Sequence, residues 1–181
     1  THNDSHINNI MYSDTETKYL YYKYNNIYYR VPTHGKIFKI IDFGRCIFTY
    51  HNKVFLNDVF SDYGEAGGQY TYPNQVNYLL KNNEKDIILP NYNFDLCRLS
   101  MTILEELNFQ NYSGNFIQFM NLMCLDKDEN SFRNMSDDFR LYINIAKYSC
   151  NSLPRKIITN DIFNEYRIKK KLFPRKSYYT I

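Results

Sequence analysis

Phe94-Asp95-Leu96-Cys97-Arg98-Leu99-Ser100-Met101-Thr102-Ile103-Leu104-Glu105-Glu106-Leu107 is the stretch whose reading decides the fold class. Phe94, Leu96, Cys97, Leu99, Ser100, Ile103, Leu104 and Leu107 recur at helical spacing and cover more than one face. That pattern predicts a buried central helix of about 15 residues with Asn93 as its N-cap. Apolar periodicity continues downstream. Residues 116–125 predict a second helix, and residues 137–148 a third capped by Ser136 or Asp137. Thr159-Asn160-Asp161 opens a fourth that runs to about residue 171.

Upstream, the period is that of strands. Residues 9–12 read as a short strand. Residues 18–24 and 27–31 are Tyr-rich and β-prone, and the two-residue link Asn25-Asn26 suits a hairpin. Pro32-Thr33-His34-Gly35 is a second turn, and residues 36–41 a last strand. Residues 45–73 contain Gly64, Gly67 and Gly68 and show no clear period, the profile of a mobile loop, and residues 74–93 stay irregular. Strands followed by helices predict an α+β fold, mainly α-helical. No internal repeat is found.

The chain has 181 residues and a mass of 21.9 kDa, enough for one domain with a real core. A net charge of +3 and a pI near 8.5 are too mild to argue for nucleic acid, which is therefore not expected as a partner. Cys46, Cys97, Cys124 and Cys150 show no CxxC and no clustering, which suits reduced, buried thiols in a cytosol-like compartment. No apolar run reaches the roughly 20 residues of a membrane span, and no signal peptide opens the chain, so a cytoplasmic protein is expected. Nineteen tyrosines, no tryptophan and abundant Asn, Ile and Lys reflect A/T-rich codons. Lys169-Lys170-Lys171 with Arg175-Lys176 reads as the solvated end of the fourth helix, its cations facing the C-terminal dipole. Asp126-Lys127-Asp128-Glu129-Asn130 begins like an EF-hand, with Asp137 at the twelfth place. Ser131 replaces the turn glycine and the bidentate Glu is absent, which leaves a polar loop.

Three polar motifs carry the chemistry. They are His2-Asn3-Asp4-Ser5-His6-Ile7-Asn8-Asn9, then Asp42-Phe43-Gly44 after the apolar run Ile37-Phe38-Lys39-Ile40-Ile41, then Asp95-Leu96-Cys97-Arg98-Leu99. The first resembles the catalytic loop of protein kinases, with Asp4 and Asn9 five residues apart, and the second resembles their magnesium-binding turn. Asp95 on the central helix completes a set similar to the carboxyl-terminal lobe of protein kinases. The full run, with Asp137-Asp138-Phe139-Arg140-Leu141-Tyr142-Ile143, looks like kinase-like proteins of giant DNA viruses.

The resemblance implies a protein-kinase-like C-terminal lobe with a β-hairpin layer at the catalytic cleft and the N-terminal lobe absent. Residues 1–12 would be the catalytic loop, 13–41 an extended hairpin, 42–73 an activation-type segment and 94–171 a helical subdomain, all within residues 1–181. It implies ATP-dependent phosphorylation of a protein Ser or Thr hydroxyl, with ATP and Mg²⁺ as cofactors. In that scheme Asp4 is the catalytic base with His6 beside it, and Asn9 and Asp42 hold the metal. Phe43 and Gly44 complete the nucleotide-side turn, Phe43 packing beneath the site, and Asp95 braces the loop backbone near His2. Because the match begins at residue 2, it also implies a piece of a longer chain, inactive without its missing lobe. The location implied is the cytoplasm, or the host cytoplasm or virion for a viral protein.

Three departures shape the alternatives. Asn3 stands where many protein kinases have Arg, so control by loop phosphorylation is not required. His6 stands where Lys is common, and a His at that place is similar to aminoglycoside and other small-molecule phosphotransferases. Gly68-Gln69-Tyr70-Thr71-Tyr72-Pro73 lacks the expected Ala-Pro-Glu. The alternatives are therefore a small-molecule kinase acting on an alcohol, or a non-catalytic pseudokinase-like scaffold.

Overall fold

Tyr-rich segments and Asn- or Gly-bearing turns make the strands pair as their alternation requires. The computed structural model describes residues 1–70, 88–136 and 138–181. Strands β1 (Ile10–Asp14), β2 (Tyr19–Tyr24), β3 (Ile27–Pro32) and β4 (Lys36–Ile40) follow in order. β2 and β3 form the expected hairpin, with Tyr24 opposite Ile27 across Asn25-Asn26. β4 returns antiparallel to β1, with Ile10 opposite Ile40. His34 and Gly35 both have positive φ, and the Lys36 amide donates to the Thr33 carbonyl at 3.0 Å. That turn carries the chain from β3 in one sheet to β4 in another.

Two compact units emerge, one of residues 1–9 and 42–157, the other of residues 10–41 and 158–181. In the second unit, β2 and β3 lie at the centre of a four-stranded sheet in the order β7-β3-β2-β8, where β7 is Arg167–Ile168 and β8 is Tyr179–Thr180.

The first unit is organised on helix α1 (Phe94–Glu106). Phe94, Cys97, Met101 and Leu104 pack with Met120 and Met123 of α2 (Gly114–Met123) and Leu141 and Ile145 of α3 (Phe139–Tyr148). Ser113 caps α2 by accepting from the Phe116 amide, and Asp138 caps α3 by accepting from the Arg140 amide. The expected cap of α1 does not form. Asn93 is helical at φ −84° and its side-chain oxygen accepts from the Ser152 amide at 3.1 Å.

Residues 45–70, read as a mobile loop, are built. Strands β5 (Phe48–Tyr50) and β6 (Lys53–Phe55) pair across His51 and Asn52, both at positive φ. Phe60, Ala66 and Ile47 then bury into a second small core. Gly64 is required there, since a Cβ would overlap the Val59 carbonyl and lie 2.8 Å from the Asp58 oxygen. Residues 71–87 lie outside the described residues, and with them the end of the activation-type segment and most of the irregular stretch. The Asp137 cap lies outside them too.

The fold differs from the expected mainly helical kinase-like lobe. It is a small α+β protein with 35% helix and 21% strand, its strands in several small sheets, and is not clearly a kinase carboxyl-terminal lobe. The hairpin strands fall in the second unit, whereas the motif residues fall in the first. The fourth helix is the other source of the difference. Pro154 opens only the short α4 (Pro154–Ile157), and residues Asp161–Tyr166 form 3₁₀ turns. Asn160 accepts from the Ile162 amide and caps the start as expected, but the chain leaves the helical path at Arg167–Ile168, which pairs as β7 with Tyr28 and Tyr29 of β3. No helix among the described residues is long and apolar enough to cross a membrane.

The thiols are less uniform than expected, because Cys150 is exposed and Cys46 half-buried. Burial raises the Cys46 thiol, pushes Cys124 up to about 12 and holds Cys97 well above its ordinary range. Since the thiolate is the reactive form, a disulfide reagent at pH 8 should titrate Cys150 rapidly and Cys46 slowly. Cys97 and Cys124 should react only after denaturant is added. Fast reaction of all four in the folded protein would contradict the packing of α1 against α2.

Candidate active site

Asn3 sets the shape of the first loop. Its φ of 63° is left-handed, a conformation Asn tolerates better than most residues. The chain then tightens: the His6 amide donates to the Asp4 carbonyl at 3.1 Å and the Asn9 amide to the His6 carbonyl at 3.0 Å. Asn9 closes the loop from within. Its Nδ2 donates to the Asp4 carbonyl at 3.0 Å and sits 3.4 Å from Asp4 Oδ2 and 3.2 Å from His6 Nε2. His6 Nε2 is 3.7 Å from Asp4 Oδ1. Asp4, His6 and Asn9 are thus brought together, with Asp4 retaining 18% side-chain exposure.

Helix α1 braces this loop from one face. The Asp95 carboxylate accepts from the His2 and Asn3 amides, each at 2.8 Å, and from the Ser5 hydroxyl at 3.1 Å. Two turns further on, Thr102 Oγ1 accepts from the Ile7 amide at 3.2 Å. Asp95 thus meets the loop amides expected for it, though it is half-buried, not fully buried. The Thr102 contact was not anticipated. Its signal was present, because Asp95, Arg98 and Thr102 fall at i, i+3 and i+7 and form one polar stripe along the helix.

Asp42-Phe43-Gly44 makes its own turn. Asp42 has φ 59°, and its Oδ1 accepts from the Gly44 amide at 3.3 Å. The turn is stitched to the first loop. Thr1 and Ile47 exchange backbone hydrogen bonds at 2.9 and 3.0 Å, and Asn3 Nδ2 donates to the Arg45 carbonyl at 3.0 Å. Phe43 does not pack beneath the site as expected. It is 62% exposed, and its ring meets His2 edge-on at 5.3 Å. Asp42 and Gly44 are exposed as well.

Asp4 has neighbours that the motifs did not name. Arg45 Nη1 is 3.9 Å from Asp4 Oδ1, while its Nε is 3.5 Å from Glu65. Arg45 and Arg98 both stand over the Tyr142 ring, at 5.5 and 5.3 Å. Burial raises the Tyr142 hydroxyl above its ordinary value; Arg98 opposes this, and the Asp4 carboxylate adds to it. The result is a carboxylate ringed by an amide, an imidazole, a guanidinium and a phenol. Such a group can orient a hydroxyl and accept its proton.

Among the described residues, no group of three His, Cys, Asp or Glu is placed to hold a metal. The Asp126 carboxylate accepts from the Asp128 and Asn130 amides, both at 2.9 Å, as a polar loop should. The oxygens of Asn9 and Asp42 nevertheless have the hardness that Mg²⁺ selects, and that ion needs few protein ligands. With its Nδ2 turned to Asp4 and His6, Asn9 has Oδ1 as the atom able to meet a cation. The chain matches no protein-family model, no curated protein and no solved structure.

Proposed function

We propose that this chain is an ATP-dependent phosphotransferase of the protein Ser/Thr kinase type, with Asp4 as the base that accepts the proton of the attacking hydroxyl. The way Asp4 is held supports this most. Its backbone and carboxylate meet Asn9 Nδ2, and the loop that carries it hangs on Asp95 of α1. Phosphoryl transfer asks chiefly for positioning, and Asp4 is positioned by hydrogen bonds. The donor set of Asn9 and Asp42 fits Mg²⁺, which when bound neutralises charge on the phosphates. The resemblance of His2-Asn3-Asp4-Ser5-His6 to the His-x-Asp-x-His loop of small-molecule phosphotransferases, with His6 3.7 Å from Asp4, supports a second reading in which the acceptor is a small-molecule alcohol.

The test is transfer of labelled γ-phosphate from ATP and Mg²⁺ to a generic protein acceptor and to a panel of amino alcohols. Asp4→Asn should lower turnover at least about 10²-fold, the contribution of a positioned general base. Asp42→Asn should raise the Mg²⁺ concentration needed for half-maximal rate. The better acceptor class decides between the two readings. A wild-type chain that binds nucleotide with Mg²⁺ but transfers nothing meets the expectation of inactivity without a further lobe, and Asp42→Asn should then weaken that binding. One that neither transfers phosphate nor binds nucleotide with Mg²⁺ is a scaffold, and the proposal then fails. Full activity in Asp4→Asn would remove the assigned base.

A further inference from the structure

Charge is divided unevenly between the two units. Residues 10–41 and 158–181 hold 11 of the 22 lysines and arginines but four of the 19 acids, a net charge of +7, which leaves −4 on the rest of the chain. The same unit holds ten of the 19 tyrosines. Asymmetry of this size points to a polyanionic partner, which the mild total charge conceals.

The sheet puts cations and rings side by side. Residues directly opposite in an antiparallel pair project to the same face. Lys23 lies opposite Tyr28 and Tyr21 opposite Arg30, so one face of β2–β3 alternates aromatic and basic side chains. Phe173 packs on that face, its ring 6.0 Å from Tyr21 and 4.8 Å from Tyr28, and Tyr178 meets Phe173 at 5.0 Å. Lys23, Lys170, Lys171 and Arg175 line an open cleft of about 640 Å³ with Tyr28, Phe173 and Tyr178. The four ion pairs among the described residues involve His6, Lys36 and Arg45, and none of these cations. The sequence assigned Lys169–Lys171 to a helix C-terminus, where a dipole would explain them. Lys170–Leu172 is instead a single 3₁₀ turn, so that explanation lapses.

We propose that this cleft binds single-stranded nucleic acid, with phosphates on Lys23, Lys170, Lys171 and Arg175 and bases stacked on Tyr28 and Tyr178. Cations tracking a backbone beside aromatic platforms are what unpaired strands require. An acidic peptide would engage the cations and leave the rings idle, and a membrane needs rings that project from the surface, whereas Tyr28 and Phe173 are half-buried in the cleft. A duplex keeps its bases stacked on one another. The inference does not depend on the phosphotransferase reading, since no residue of that site belongs to this unit.

Fluorescence anisotropy on the full chain tests it, with labelled oligo-dT and oligo-rU, a duplex, polyglutamate and anionic vesicles as separate arms. Oligonucleotide binding should be saturable and tighter than in the other three arms. Four phosphate contacts predict a slope of log K against log salt near about −2.8 on single strands, and Lys170→Gln with Lys171→Gln should reduce its magnitude by about 1.4. Tyr178→Ala should weaken binding roughly 5- to 150-fold, the worth of one stacked base, while Tyr178→Phe should leave it unchanged. Tyr178 is 40% exposed, so neither change hollows a core. A preference for RNA or for DNA supports the proposal equally. It is overturned by absent binding at low salt, by polyglutamate, vesicles or duplex binding as tightly as the oligonucleotides, or by a Tyr178→Ala variant that binds like wild type.

Discussion

Asp95→Ala should cost the larger unit about 3–5 kcal/mol. The carboxylate accepts from two backbone amides, His2 and Asn3, and both residues are buried. Without it, each amide loses a charge-assisted partner, and a buried unsatisfied donor costs roughly 1–3 kcal/mol. The Ser5 hydroxyl loses its acceptor as well. For a chain of this length, a loss near 4 kcal/mol lowers the thermal midpoint by about 8–16 °C. Because the chain forms two compact units, a single transition is not assured. Hydrogen exchange at the His2 and Asn3 amides is therefore the sharper measurement, and both should lose most of their protection. Asp95→Asn keeps one acceptor and turns an NH₂ donor toward the other amide, so it should fall between wild type and alanine. An alanine variant within 0.5 kcal/mol of wild type would mean that α1 does not brace the loop. The same variant should also lose phosphate transfer, since the brace positions Asp4.

What the sequence made legible follows from how local each cause is. The β2–β3 hairpin was readable because Asn25-Asn26 and the flanking Tyr runs contain the whole reason for it. The central helix was readable because its apolar spacing is unbroken for 13 residues. The fourth helix failed because its local start signal at Asn160 is real, whereas the cause that ends it, the pairing of Arg167–Ile168 with β3, is tertiary. The ordering of residues 45–70 was invisible because its cause is tertiary. Phe60 and Ala66 are held by burial, and no period announces them. At the site, Asp4, His6, Asn9 and Asp95 could be picked from motif spacing. Arg45 and Tyr142 approach Asp4 from 41 and 138 residues away, and single-sequence spacing cannot encode such contacts, whereas Thr102 could have been found from its stripe with Asp95. The return of β4 onto β1 matters most here. The Ile10–Ile40 register puts the chain entering the insert beside the chain leaving it, a pairing across 30 residues that local spacing does not announce.

Asn3 should prove the least replaceable residue of the loop. It is fully buried, and every polar atom it has is bonded. Its amide nitrogen donates to Asp95 at 2.8 Å, and its carbonyl accepts from Gln69 Nε2 at 3.3 Å. Its side-chain nitrogen donates to Thr1 Oγ1 and to the Arg45 carbonyl, each at 3.0 Å, and its side-chain oxygen accepts from the Tyr70 hydroxyl at 2.7 Å. Burial raises Tyr70 well above its ordinary range, so this phenol is a neutral donor at physiological pH and needs its acceptor. Asn3→Leu combines two faults. A bulky residue at φ 63° adds strain of order 1–3 kcal/mol, and the stranded Tyr70 hydroxyl and Arg45 carbonyl cost roughly 1–3 kcal/mol each. A total loss of about 4–6 kcal/mol is expected, measured by chemical denaturation followed in far-UV circular dichroism. Asn3→Gly separates the faults, because it relieves the backbone and keeps only the hydrogen-bond loss, and should recover about 1–3 kcal/mol relative to leucine. Asn3→Asp keeps the acceptor for Tyr70 but sets a carboxylate against the Arg45 carbonyl, so it should not rescue. Equal stability of the leucine and glycine variants would show that the left-handed backbone is not what selects Asn at this position.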